Sequence, residues 1–246
     1  MDDAAGVDLE ALAAGYLQRP ASEASRHRAR RAAAEASLQP GDWAVDVGGG
    51  TGAQAACWAE DGVHAIVVDP SRGMLRRAAA RPGVHAVGGR AQALPLATGT
   101  VRLVTFHLSI HYGDWRRAID EAMRVLCDGG ECWVWTLGGA HHRASFLARW
   151  FPSVAAIDTA RFPDPDALAD RFAGAGGTVD RGTETEVRER SAAAWLAAVD
   201  AGFVSTLQLI PAEELRAGRE RFVAAHPDPA EVVRYRLDFD WLRTRK

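Results

Sequence analysis

Residues 45–53 read VDVGGGTGA, and the chemistry open to this chain starts there. Gly48, Gly50 and Ala53 satisfy a G-x-G-x-x-G/A spacing, and Asp69 follows about 20 residues on. Glycines so placed let backbone N–H groups approach a ligand closely. Asp46, two residues before Gly48, decides the ligand's charge. A carboxylate there repels a pyrophosphate and attracts an ammonium. The pattern therefore disfavours a dinucleotide and favours a cationic nucleoside.

S-adenosylmethionine has the required chemistry: an ammonium, a sulfonium and no phosphate. Asp69 can accept its ribose hydroxyls. Further along, FHLSIHYGD holds His107, His111 and Tyr112. His111 reads either as a packed histidine or as a proton acceptor, and Tyr112 joins it as a candidate catalytic residue. His107 reads as a pocket-wall contact. His141 and His142 are adjacent, which suits substrate contact better than a shared metal, and no third ligand spacing accompanies them. No metal is expected.

The elements that must position these groups alternate. WAVDV, HAIVVD (64–69), VHAVGG (84–89), VRLVTFHL (101–108) and ECWVWTL (131–137) are short apolar runs of the buried parallel-strand type. Helices are expected over 71–80 and 114–127 between them, and over 8–18 and 22–37 before them, parted at Arg19-Pro20. Such alternation predicts a doubly wound α/β sheet of Rossmann-like kind, with ligands beyond the carboxyl ends of the strands. TVDRGTETEVRER reads as an exposed strand or hairpin, 191–201 and 211–225 as helices, and 232–242 as a last, antiparallel strand.

Bulk properties bound the reading. The chain has 246 residues, 48% hydrophobic and 25% charged, the balance of a globular protein. It is expected to form a single domain: an N-terminal helical cap (1–39), a cofactor-binding core (40–140), and substrate-side elements with the last strands (141–246). A net charge of -3 gives no pull toward nucleic acid or anionic membrane. The acidic start MDDAAGVDLE is unlike a secretory leader and predicts a cytoplasmic protein. Three cysteines without C-x-x-C spacing predict reduced thiols.

DWAVDVGGGTG, IVVDPSRGML, ALPLATGT and EAMRVLCDGGE, in this order, resemble class I S-adenosylmethionine-dependent methyltransferases. The resemblance is to the branch containing the ubiquinone/menaquinone C-methyltransferases and natural-product tailoring enzymes. It implies a mostly parallel seven-stranded sheet with an antiparallel edge strand and a helical insertion before the last strand. It also implies S-adenosylmethionine as cofactor, with Asp46, Gly48, Gly50 and Gly52 around its methionine part. Asp69 would bind ribose, Pro70 and Met74 would border the adenine, and the Ala91 N–H would meet a ring nitrogen. Tyr16 would fold over the cofactor, and with His141 and Trp150 it forms the expected substrate side.

Two residues depart from that family's pattern. Arg90 in VGGRAQALPL stands where the family usually carries an aspartate that binds the adenine amino group, and Arg102 stands where strand four usually opens with an acid. A hydrogen bond to a charged group contributes about 1.5–3 kcal/mol, so its loss weakens binding roughly 10- to 150-fold. Arg90 can point to solvent, pair with Asp69, or make the pocket cationic. Three functions stay open. The first is methyl transfer to a small-molecule acceptor, with specialised metabolism as one setting for it. The second is a methyltransferase fold repurposed for non-methylating chemistry on an anionic substrate with a partner chain. The third is a noncatalytic scaffold. A homodimer or a partner protein is compatible with any of them.

Overall fold

The computed structural model describes residues 6–15 and 22–246. Tyr16, Arg19 and Pro20 lie outside them. Seven strands form one sheet in the order β3-β2-β1-β4-β5-β7-β6. The parallel strands are β1 (Trp43–Val47), β2 (His64–Asp69), β3 (Val84–Gly88), β4 (Val101–His107) and β5 (Leu126–Thr136). They are the five apolar runs, and most of their residues are buried because helices cover both faces. β5 begins earlier than its apolar run. Leu126 pairs with Val101 before a register shift, through a stretch whose glycines carry no hydrophobic signal.

The helices start where short polar side chains cap them. Ser71 accepts the Met74 N–H at the head of α4 (Arg72–Ala79), and Asp114 accepts the Arg116 and Arg117 N–H groups at the head of α5 (Trp115–Val125). α1 (Leu9–Gly15) and α2 (Glu23–Glu35) precede the sheet, and α3 (Ala55–Ala59) follows the glycine loop. Two apolar cores fill the two sides of the sheet, one around Phe106, Ile119 and Phe172, the other around Trp58, Trp133 and Trp135.

The antiparallel edge is two strands wide. β7 (Val232–Arg245) pairs with β5, and β6 (Thr178–Ser191) pairs outside it. β6 and β7 pair over their whole length, but β5 reaches β7 only between Asp240 and Arg245. The rest of the β6–β7 ribbon overhangs the carboxyl ends of the parallel strands. The connections around it are helical: α6 (Gly139–Ala144), α7 (Phe146–Trp150), α8 (Ser153–Arg161) and α9 (Pro165–Gly174) lead into β6, and α10 (Ala192–Asp200), a 3-10 turn (Ser205–Gln208) and α11 (Ala212–Ala225) join β6 to β7. α9 packs beside α5 in the first core, and α6 and α10 meet the ribbon. Several of these share a third apolar core around Trp195 and Phe222.

Candidate active site

The glycine loop leaves β1 above the carboxyl ends of the strands. Gly48 (φ 67°) and Gly50 (φ 55°) are left-handed, where a side chain brings strain. A Cβ on Gly48 would also meet Ser109 Cβ at 2.5 Å. Beyond Gly50 the nearest atom is Met74 Sδ at 3.6 Å, and the space there is a cavity. Asp69 holds the loop from the end of β2. Its Oδ2 accepts the Gly50 N–H at 3.0 Å and its Oδ1 the Ser71 N–H at 2.8 Å. Burial pushes its carboxyl upward against those two bonds. Each oxygen keeps a further acceptor position for a ligand hydroxyl.

Asp46 and Gly52, expected at the ligand, are not in the cavity wall. Asp46 lies beneath the loop, where its Oδ1 accepts the Thr105 hydroxyl at 2.9 Å. Burial pushes its carboxyl up to about 7, opposed by the Thr105 bond and reinforced by Asp69. Its charge can act through the loop rather than by contact. Gly52 serves packing: a Cβ there would sit 3.2 Å from Ala78 Cβ and 3.4 Å from Val67 Cγ2.

Gly48, Gly50, Pro70, Met74, Ala91 and His107 line the cavity. Arg90 lines it too, with an exposed side chain. Among the described residues no ion pair joins Arg90 to Asp69, whose charged neighbours include Glu10 and Asp46. Arg102 is elsewhere: its Nε donates to the Ala36 carbonyl at 3.0 Å, just past the carboxyl end of α2. Glu121 and Arg124 pair at 2.7 Å and brace the loop after β3, since Glu121 accepts the Leu94 N–H and Arg124 donates to the Leu94 and Leu96 carbonyls.

A second cavity, mostly apolar, adjoins the first, and Leu12, Leu108 and Tyr112 belong to the walls of both. Leu108 has φ 53°, a strained conformation for a leucine, and its N–H is tied to the Trp135 carbonyl at 2.9 Å. His111 faces this second cavity, stacked on Phe162 at 3.8 Å and beside Tyr112 at 4.1 Å. Its Nδ1 is enclosed with no hydrogen-bond partner, which leaves Nε2 as the open nitrogen. Burial, with Arg161 and His142 nearby, holds His111 well below the usual histidine range, so the ring is neutral.

His141 also lines this cavity. Its Nδ1 accepts the Asp238 N–H at 3.1 Å, which puts its proton on Nε2. His142 is buried beside it and burial pushes it down to about 4. Trp150 corrects the expectation of a substrate contact. It is 5% exposed and packs edge-on to Phe222 and Phe146, inside the third core rather than in the cavity wall. Trp195 and Phe203, from the same insertion, do reach the wall.

Sequence reasoning missed Leu108, Phe162, Asp158 and the ribbon residues Arg188, Arg190 and Tyr235, all of which line the second cavity. The alternation of β6 and β7 was readable, but not the register that lays their overhang above the site. No signal marks Leu108 at all, because nothing in a leucine announces a left-handed turn.

The pattern of a methyltransferase domain matches residues 45–134. A demethylmenaquinone methyltransferase from Renibacterium salmoninarum is 32% identical over 94 residues, 37% of this chain and 40% of that protein. Its counterpart from Corynebacterium urealyticum is 33% identical over 145 residues, 54% of this chain and 59% of that protein. The chain thus spans about two fifths to three fifths of these curated relatives. Among solved structures, the YcgJ protein of Bacillus subtilis superposes with a TM-score of 0.64 at 18% identity, covering 89% of this chain and 98% of that one, which is a likeness of fold. With the glycine loop, the acid ending β2 and the seven-stranded order in place, residues 45–134 match a methyltransferase domain, and the chain resembles the class I S-adenosylmethionine-dependent methyltransferases, the quinone C-methyltransferases among them.

Proposed function

We propose that this protein transfers a methyl group from S-adenosylmethionine to a small molecule held in the apolar cavity beneath the ribbon. The observation that carries the reading is the pair of cavities sharing Leu12, Leu108 and Tyr112, one floored by glycines and Asp69, the other by apolar side chains. The donor set suits the cofactor. Two buried carboxyls, Asp46 and Asp69, favour a cation, and the space a side chain on Gly50 would enter is open.

When bound, S-adenosylmethionine supplies a methyl carbon on a sulfonium. Gly48 and Gly50 would bring backbone to its methionine part, Asp69 would accept from its ribose, and Pro70, Met74 and Ala91 would border its base. Positioning does most of the work in such a transfer. The neutral His111 can hold the proton of an O–H or N–H acceptor on Nε2, and Tyr112 packs that ring in place. Leu108 and Leu12 keep water from the junction. We place that acceptor in specialised metabolism.

The test is calorimetric titration with S-adenosylmethionine and S-adenosylhomocysteine, wild type beside Arg90→Asp. Micromolar binding by the wild type is expected, tightening about tenfold in Arg90→Asp as the base regains an acceptor. No binding of either compound to the wild type overturns the proposal. Its rescue by Arg90→Asp would point instead to a fold repurposed for other chemistry.

A further inference from the structure

The second cavity has two unlike ends. At one are Tyr112, Leu108 and His111, beside the glycine-loop cavity. The other is formed by the overhanging ribbon. On β6 the residues facing inward are Glu184, Glu186, Arg188 and Arg190, and on β7 they are Val233, Tyr235, Leu237 and Phe239, as the alternation of burial shows.

The charges along this face do not cancel. Glu184 pairs with Arg28 and Arg31, and Glu186 with Arg28 and Arg188. Arg28 is 2% exposed and lies over the Phe239 ring at 3.9 Å, so both carboxylates are held by cations from α2 and the ribbon. Arg190 comes next along the strand. Among the described residues it meets no carboxylate, and its guanidinium lies 5.6 Å from the Phe203 ring centre. Asp158, the carboxylate in the wall of this cavity, is engaged by the Thr206 hydroxyl at 2.6 Å and lies 3.8 Å from Arg161.

Tyr235 adds a second polar group at the same end. Opposite Arg188 and diagonal to Arg190, it stacks on Phe146 at 5.3 Å, and among the described residues its hydroxyl has no partner. Between the ends the wall is apolar, with Phe146, Trp195 and Val154. Arg190 pairs with Val233, four residues along β7 from Leu237. At ~3.3 Å per residue that is roughly 13 Å. A ligand touching both ends must be elongated.

We infer that the cavity takes an elongated, flat apolar acid, its anionic group held by Arg190 and Tyr235 and its reacting end presented beside His111 and Tyr112. This rests on reading that cavity as the acceptor site, and it names the acceptor's chemical class. Cation and hydroxyl supply charge-assisted hydrogen bonds to a carboxylate, sulfate or phosphate, and the aromatic wall supplies the area. In a transfer to a hydroxyl at the far end, an oxygen lone pair forms the new bond to carbon as the sulfur–carbon bond breaks. The sulfur keeps that electron pair, and the hydroxyl proton goes to His111 Nε2.

The test is fluorescence titration with three probes: para,para-hydroxybiphenylcarboxylate, the neutral para-phenylphenol, and the short para-hydroxybenzoate. Wild type is compared with Arg190→Gln, Arg190→Lys and Arg234→Gln, the last on the opposite, exposed face of the ribbon. The wild type should bind the biphenyl acid about tenfold more tightly than phenylphenol, and hydroxybenzoate more weakly than either. Arg190→Gln should erase the preference and leave phenylphenol binding unchanged, Arg190→Lys should keep part of it, and Arg234→Gln should keep all of it. Equal binding of acid and phenol by the wild type, or a preference that survives Arg190→Gln, overturns the inference. Binding of S-adenosylhomocysteine to the same preparations separates the two readings. If it binds while the preference is absent, only the acceptor class fails; if it does not bind, the methyl-transfer proposal fails whatever the probes do.

Discussion

The two cavities meet at Tyr112, yet they are made in different ways. The glycine-loop cavity is built from backbone. Its shape depends on left-handed glycines between β1 and α3, and on an aspartate that ties the loop to β2. The ribbon cavity is built from side chains, gathered from the ends of β4 and β5, from α6 to α8, from the insertion, and from the overhang of β6 and β7. A backbone site tolerates few residue types and is nearly all-or-none. A side-chain site can be retuned one position at a time. On the proposed function, this division would let one fold keep a cofactor while its acceptor changes.

The sharpest break of that comparison is Gly48→Val. The new side chain must adopt φ 67° and enter a space where Ser109 Cβ stands 2.5 Å away. A β-branched residue is a genuine outlier in that conformation. Binding of S-adenosylhomocysteine should fall below detection in calorimetry, while phenylphenol still binds the other cavity. If both ligands are lost together, the two cavities are not separable. Asp69→Asn comes next. It keeps the size and loses the charge that the Ser71 and Gly50 N–H groups favour. A roughly 10- to 150-fold loss of S-adenosylhomocysteine affinity is expected, the range for one hydrogen bond to a charged group.

A smaller effect sharpens the electrostatics of the backbone side. Burial raises the Asp46 carboxyl to about 7, and a cation over the loop favours its ionised form. Binding of S-adenosylmethionine should therefore release a proton, and affinity should rise about tenfold between pH 6 and 8. Stability has the opposite sign. The unfolded chain ionises Asp46 near its ordinary value while the folded one resists, so this residue's contribution to stability falls as pH rises through about 7. Asp46→Asn should flatten both dependences. Titrations in buffers of different ionisation enthalpy measure the released proton, and thermal melts across the same pH range measure the other. A flat affinity profile in the wild type would mean the carboxyl does not sense the ligand.

The same division explains what the sequence could disclose. Glycine spacing, the acid about 20 residues on, and alternating apolar runs are written locally, so β1 to β5 and the walls around Gly48, Gly50 and Asp69 were legible. The resemblance put Asp46 and Gly52 around the cofactor with Gly48 and Gly50, but a motif locates a loop without saying which of its residues face the cavity. The ribbon cavity depends on the pairing of β6 with β7, residues about 50 positions apart, and local pattern carries no register. The aromatic residues after β5 illustrate the limit. Trp150, Trp195 and Phe203 are alike in type, and only the last two line the cavity.

Trp150 supplies the smallest expected effect, and a useful one. Its indole sits between Phe146, Phe222 and His226, and among the described residues its Nε1 has no hydrogen-bond partner. Trp150→Phe removes volume from a packed core, which destabilises. It also removes a buried N–H whose desolvation nothing repays, which stabilises by about 1–3 kcal/mol. The two terms oppose each other, so the melting temperature should move by only a few degrees. The probe affinities should not move at all, because the side chain never reaches the cavity. Trp195→Phe, one layer closer, is the contrast: it trims the wall itself, and the hydroxybiphenyl acid should bind measurably more weakly. If Trp150→Phe weakens the probes as much as Trp195→Phe does, then core and wall are one mechanical unit, and the acceptor side would be as unforgiving as the glycine loop.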